Sequence, residues 1–194
     1  PVTEPPPAAA SAAALIASTR LGGELLGDLG ENIRPPTELD AYRVQAITRR
    51  LLEAAGFGRQ SGWKIGCTTK VMQAYLTIDS PCAGTMFQAS TWHGRHAFAV
   101  PPRGRLGVEC EIAVRLARDL PRRDAPYKLA DMPAAVAAAM AAIEVVQDRY
   151  VDYPSLDTPT LIADDFFHRA CVLGPPSESM RPEALRDVTA SMTI

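Results

Sequence analysis

One eight-residue stretch, Gly107 to Val114 (GVECEIAV), constrains the fold more tightly than any other part of the chain. Val108, Cys110, Ile112 and Val114 alternate with Glu109, Cys110's neighbour Glu111, and Ala113. A period of two makes this a strand with an apolar face, and the pattern predicts a buried one. The same period puts Glu109 and Glu111 side by side on the opposite face, roughly 6.5–7 Å apart. Unpaired carboxylates there repel, and burial would drive one of them neutral. Three arrangements relieve the conflict. The face is wet, Arg115 pairs with Glu111, or a divalent cation lies between the acids.

A third acid in a similar setting is Glu144, inside the apolar run AAIEVVQDR. Three carboxylates are hard oxygen donors, suited to Mg²⁺ or Mn²⁺ rather than Zn²⁺. Two glutamates one residue apart are common, however. On that spacing alone a solvated edge strand with a salt bridge is the better reading.

The rest of the chain reads as one domain behind a helical arm. Residues 1–36 form that flexible and helical arm, Pro-rich over its first seven residues, with an Ala- and Leu-rich helix from about Ala8 to Leu26. Thr37 is an N-cap for a helix running to about Ala55, whose apolar stripe is Val44, Ile47, Leu51 and Ala55. Strands are expected at GWKIGCT, HAFAV, Val108–Leu116, IEVVQDRY, CVLG and the terminal DVTASMTI. A short helix is expected at TTKVMQAYL, and a second, Ala-rich one over Pro133–Ala142 with Asp131 as its cap. The alternation at DVTASMTI runs to the last residue, which predicts a fragment or a last strand that pairs outside this chain.

Composition narrows the function. Net charge is −2, which calls for neither nucleic acid nor an anionic membrane as partner. No apolar run reaches the roughly 18 residues of a membrane helix. The four cysteines, Cys67, Cys82, Cys110 and Cys171, are widely spaced, as free thiols in a reducing compartment would be. A cytoplasmic location is the resulting expectation. AAASAAALIAS follows Glu4 and three prolines without a basic segment, so it is not read as a signal sequence.

Four blocks in order, GWKIGCTTKVMQAYL, GVECEIAV, AAIEVVQDRY and LIADDFFHRACVLG, resemble the 2-keto-4-pentenoate hydratase group of the fumarylacetoacetate hydrolase superfamily, which also contains 4-oxalocrotonate decarboxylases. The resemblance runs from about Thr37 to Ile194 and implies a catalytic domain over 37–194. The implied fold is α+β: a mixed, mainly β, barrel-like roll with N-terminal helices, its C-terminal part missing here. The implied metal ligands are Glu109, Glu111 and Glu144, holding Mg²⁺ or Mn²⁺. Lys64 matches the family lysine that contacts substrate and assists proton transfer. Arg149 matches the arginine after the third glutamate and is expected to bind substrate.

The implied activity is a metal-dependent hydro-lyase acting on a short 2-oxo-alkenoate or its dienol from aromatic ring-cleavage catabolism. A 2-oxo acid decarboxylase, an acylpyruvate C–C hydrolase and a non-catalytic metal- or partner-binding member are the alternatives. Family members are oligomers, so a homo-oligomer is expected. Two departures stand out. PCAG puts Cys82 where the family carries an acid, with Asp79 three residues earlier. ADDFFHRAC puts Phe166, Phe167 and His168 in place of small polar residues. His168 is expected on a surface or loop beside Asp164 and Asp165, and the HxxH pair His93 and His96 in a loop.

Overall fold

A computed structural model describes residues 5–179 and 182–193. Two antiparallel strands, β1 (Gln60–Gly66) and β2 (Cys82–Phe87), form one small sheet. A second sheet has four strands in the order β3 (Thr91–His93), β6 (His168–Leu173), β5 (Val136–Asp148) and β4 (Arg105–Leu116). Only the β3–β6 pair is parallel. Both sheets are open among the described residues, and the fold is mixed α+β.

The helices sit where the caps put them. Helix α1 (Pro7–Gly22) ends at Gly23, which takes the left-handed conformation at φ 68°. Thr37 accepts from the Asp40 backbone N–H and starts α2 (Glu38–Leu52), as expected; Asp40 and Glu38 complement the dipole of its first turn. A π-helical turn then extends it to Phe57, bent at Gly56, whose φ is 101°. Helix α3 (Lys70–Leu76) is capped by Thr69, and α4 (Thr158–Ala163) by Asp157. Ala12, Ala13 and Ile16 of α1 join Ala41 and Val44 of α2 and Leu161 to Ala163 of α4 in one buried cluster. The sequence arm thus contributes to the same core as the residues after position 37.

Three expectations fail for identifiable reasons. Pro133–Ala142 is not a helix: from Val136 onward the segment is the first half of β5. Alanine's intrinsic preference is worth only tenths of a kcal/mol per residue, and pairing along twelve residues of β4 outweighs it. Ala138, Ala139 and Ala142 are buried there, where larger side chains would not fit. HAFAV forms no strand; β3 lies just before it, stacked through Trp92 on His96 at 3.6 Å between ring centres. Residues Val188 to Thr193 form no strand either, and Ile194 lies outside the described residues.

β4 is an edge strand rather than a buried one. Its apolar residues Val108, Ile112 and Val114 are 43%, 37% and 47% exposed. The alternation was read correctly, but nothing among the described residues covers that face.

Candidate metal centre

Register brings the three glutamates together. Glu109 of β4 stands directly opposite Glu144 of β5, and Glu111 lies two residues further along the same face. One oxygen from each falls within 4.8 Å of the other two. In an octahedral Mg²⁺ site neighbouring ligand oxygens lie about 3 Å apart and opposite ones about 4.2 Å, so the three carboxylates would draw together around such an ion. The donor set, three carboxylates and no sulfur or nitrogen, matches a hard cation.

Electrostatics separate the three. Burial and the neighbouring charges of Glu144 and Glu109 push the Glu111 carboxyl above its usual range. Glu144 goes the other way. Burial alone would raise it, but the hydrogen bond from His168 and the positive charge of Lys64 bring it below the usual value. Lys64 Nζ lies 3.3 Å from Glu144 Oε1, and His168 Nδ1 lies 2.7 Å from the same oxygen. Lys64 reaches this position because it alternates on β1 with the exposed Trp63 and Ile65.

Glu109 and Glu111 open onto a cavity of about 1050 Å³, while Glu144 is buried behind them. Lys64, Glu109 and Glu111 line it, with Tyr75, Phe166 and Arg105 among the others. Arg105 was not singled out from the sequence, although a signal exists: it shares the parity of Glu109 and Glu111 and so faces their way. Its guanidinium donates to Asp148 at 2.8 Å.

Arg149 is placed elsewhere. It is 5% exposed and spends its donors on Asp164 and on the His168 carbonyl. It lines a second cavity, of about 690 Å³, and not the one beside the glutamates. His168 is also not where the sequence suggested. It is 1% exposed and bonded to Glu144, so it is neither a surface nor a loop histidine. No sequence pattern near His168 signals this, because its partner is 24 residues away on another strand. His93 is exposed and His96 stacks on Trp92; among the described residues neither joins a metal-ligating cluster.

Cys82 is 1% exposed in the core, beside Cys67. Burial, reinforced by Cys67, pushes its thiol up to about 12, so it is neutral near pH 7 and supplies no substitute for a carboxylate.

Beneath the site, the turn after α4 is unusual. Asp165, Phe166 and Phe167 all have positive φ, at 57°, 49° and 65°. Such residues are held only where surroundings over-determine them. Asp165 is fixed by the Thr85 backbone N–H and by Arg20, each at 2.7 Å. Gly84 is the reason β2 can approach: a Cβ there would lie 2.7 Å from the Asp165 carbonyl oxygen.

The site is thus an edge-strand acid pair facing a third acid across the sheet, with the Lys64 side chain, 9% exposed, beside it. Comparison with known proteins finds relatives in sequence and in fold. It is 34% identical over 148 residues to a 2-keto-4-pentenoate hydratase of Burkholderia vietnamiensis, covering 76% of this chain and 53% of that protein. It is 30% identical over 175 residues to 2-keto-4-pentenoate hydratase 1 of Dechloromonas aromatica, covering 90% and 63%. The fold is similar to that of a 4-oxalocrotonate decarboxylase from Pseudomonas putida G7 complexed with magnesium and adipate, with a TM-score of 0.74 at 22% identity, over 93% of this chain and 65% of that one. No family model matches. The chain is thus similar to the 2-keto-4-pentenoate hydratase and 4-oxalocrotonate decarboxylase group of the fumarylacetoacetate hydrolase superfamily. It spans about half to two thirds of the length of these relatives.

Proposed function

We infer that the chain carries the metal site and part of the substrate pocket of a divalent-metal-dependent hydro-lyase acting on a short 2-oxo-alkenoate or 2-hydroxydienoate. The observation that carries this reading is the convergence of Glu109, Glu111 and Glu144 within 4.8 Å, with Glu109 and Glu111 at a cavity wall. The named relatives supply the reaction class. Glu109, Glu111 and Glu144 would hold Mg²⁺ or Mn²⁺. When bound, the cation supplies Lewis-acid stabilisation of negative charge developing on the substrate's C2 oxygen.

The chain's own residues do the rest. Lys64 presents Nζ at the wall and is assigned substrate contact and proton transfer. Its side chain is only 9% exposed, and the Glu144 carboxylate and the Phe166 ring, 5.6 Å away, hold its position. Phe166 and Phe167 line the cavity and give it an apolar wall. Arg149 supports the site from below by fixing Asp164 and the His168 carbonyl.

Residues 37–194 are assigned the chemistry, with 1–36 as the N-terminal arm whose α1 closes the core. The open sheets are assigned to a barrel-like roll, with the uncovered β4 edge as the line of closure or of contact with a second copy. No described helix is long and apolar enough to cross a membrane. A cytoplasmic location agrees with four unpaired thiols.

The test is loss of ultraviolet absorbance from 2-hydroxypenta-2,4-dienoate. Turnover that needs Mg²⁺ or Mn²⁺, stops with EDTA and is lost in Lys64→Ala supports the reading. Turnover indifferent to EDTA contradicts it.

A further inference from the structure

We propose that His168 is a positioning residue for Glu144: its Nδ1–H holds one carboxylate oxygen so that the other is presented to the cation. This rests on the metal-binding reading above and extends it to a residue outside the three ligands.

The geometry is specific to one oxygen. An ionised carboxylate can only accept, so the 2.7 Å contact has Nδ1–H donating to Glu144 Oε1. Lys64 approaches that same oxygen. Among the described residues no hydrogen bond or ion pair involves Oε2. Glu144 is therefore gripped through Oε1 and left with Oε2 for a ligand. Glu109 and Glu111, on the exposed edge strand, make no hydrogen bond or ion pair among the described residues. Of the three acids, only Glu144 is oriented before a cation arrives.

The surroundings fix the histidine as firmly as the histidine fixes the glutamate. His168 is 1% exposed. Its backbone N–H donates to the Asp165 carbonyl, and its carbonyl accepts from Arg149. The left-handed run Asp165–Phe167 delivers it to the start of β6, where a register shift opposite Val145 and Val146 turns its ring toward Glu144. Among the described residues Nε2 is buried without a hydrogen-bond partner, so the bond to Glu144 is the ring's one polar anchor there. Partners of this kind set the orientation of ligating groups, and losing one weakens metal affinity about 10–100-fold.

The test is Mn²⁺ titration of the full chain by calorimetry, comparing wild type, His168→Leu, His168→Asn and Glu109→Gln. Asparagine places an amide N–H close to the Nδ1 position, whereas leucine fills the space with no donor. The expected result is Mn²⁺ binding about 10–100-fold weaker in His168→Leu, largely recovered in His168→Asn. Wild-type affinity in His168→Leu overturns the proposal, as does an Asn variant that unfolds at the wild-type temperature yet binds no better than Leu. A wild type that binds no Mn²⁺, or binds it unchanged in Glu109→Gln, instead defeats the metal reading itself.

Should both variants fail to fold, ¹⁵N-histidine NMR of the wild type decides. The sequence has three histidines. A buried Nδ1–H resonance that shifts on adding Mg²⁺ supports the role, and the absence of any such shift at saturating Mg²⁺ contradicts it.

Discussion

Two groups of carboxylates lie within the same small fold and are treated in opposite ways. Asp164 and Asp165 are adjacent, fully buried, and answered by two arginines: Arg149 binds Asp164 at 2.6 Å and Arg20 binds Asp165 at 2.7 Å. Glu109, Glu111 and Glu144 also lie together, within 4.8 Å, but face one lysine and one histidine, both spent on Glu144. The first group is neutralised by the protein, and its business is holding the turn after α4. The second keeps an excess of negative charge at a cavity wall, and an excess of that kind is what a cation relieves. Closeness of acids alone does not distinguish a structural cluster from a binding one; the local balance of charge does.

The comparison is broken most severely by removing an arginine from the balanced group. Arg149→Met leaves Asp164 buried with its best partner gone, and removing one member of such a pair costs about 3–5 kcal/mol. Urea denaturation should show that loss with or without Mn²⁺. Gly84→Ala acts on the same group through the backbone. The new Cβ would meet the Asp165 carbonyl at 2.7 Å, and overpacking of this kind costs about 1–3 kcal/mol. A denaturation midpoint equal to wild type would show that β2 is not seated on this turn.

The unbalanced group predicts an opposite sign. Glu111→Gln removes a repelling charge, so the metal-free protein should gain about 0.2–1 kcal/mol while Mn²⁺ binding weakens. A loss of metal-free stability would mean that the repulsion is already relieved by the protein.

The pH dependence sharpens this further. The folded-state pKa of Glu111 is raised, so the metal-free protein gains stability as pH falls through that value. Glu144 is depressed, so its contribution is present above the ordinary carboxylate range and is lost as pH falls through its folded value. Thermal melts without metal should therefore pass through a shallow maximum on the acid side of neutrality. Mn²⁺ affinity should fall over the Glu111 range, because the cation competes there with a proton.

Much of this was legible in the sequence, for physical reasons that differ by residue. The period-two pattern around Glu109 and Glu111 fixes a strand face, and Thr37 fixes a helix start, because both are local. The register that sets Glu144 opposite Glu109 is not local; only the resemblance of four sequence blocks suggested it. Pro133 to Ala142 misled because alanine favours helix in isolation and yields to strand pairing when small side chains are needed in a core. His168 was misplaced because its setting is made by the left-handed turn and by β5, neither of which leaves a mark beside it. Arg149 follows the third glutamate in sequence, but its donors point to Asp164, away from the cavity.

The account stands on three acids sharing one hard ion. Crystals soaked in Mn²⁺ and measured for anomalous scattering test it directly. The prediction is one anomalous peak bonded to a carboxylate oxygen from each of Glu109, Glu111 and Glu144, with the Glu144 bond made by the oxygen that His168 does not hold. A map with no peak among these three side chains at saturating Mn²⁺ would contradict it.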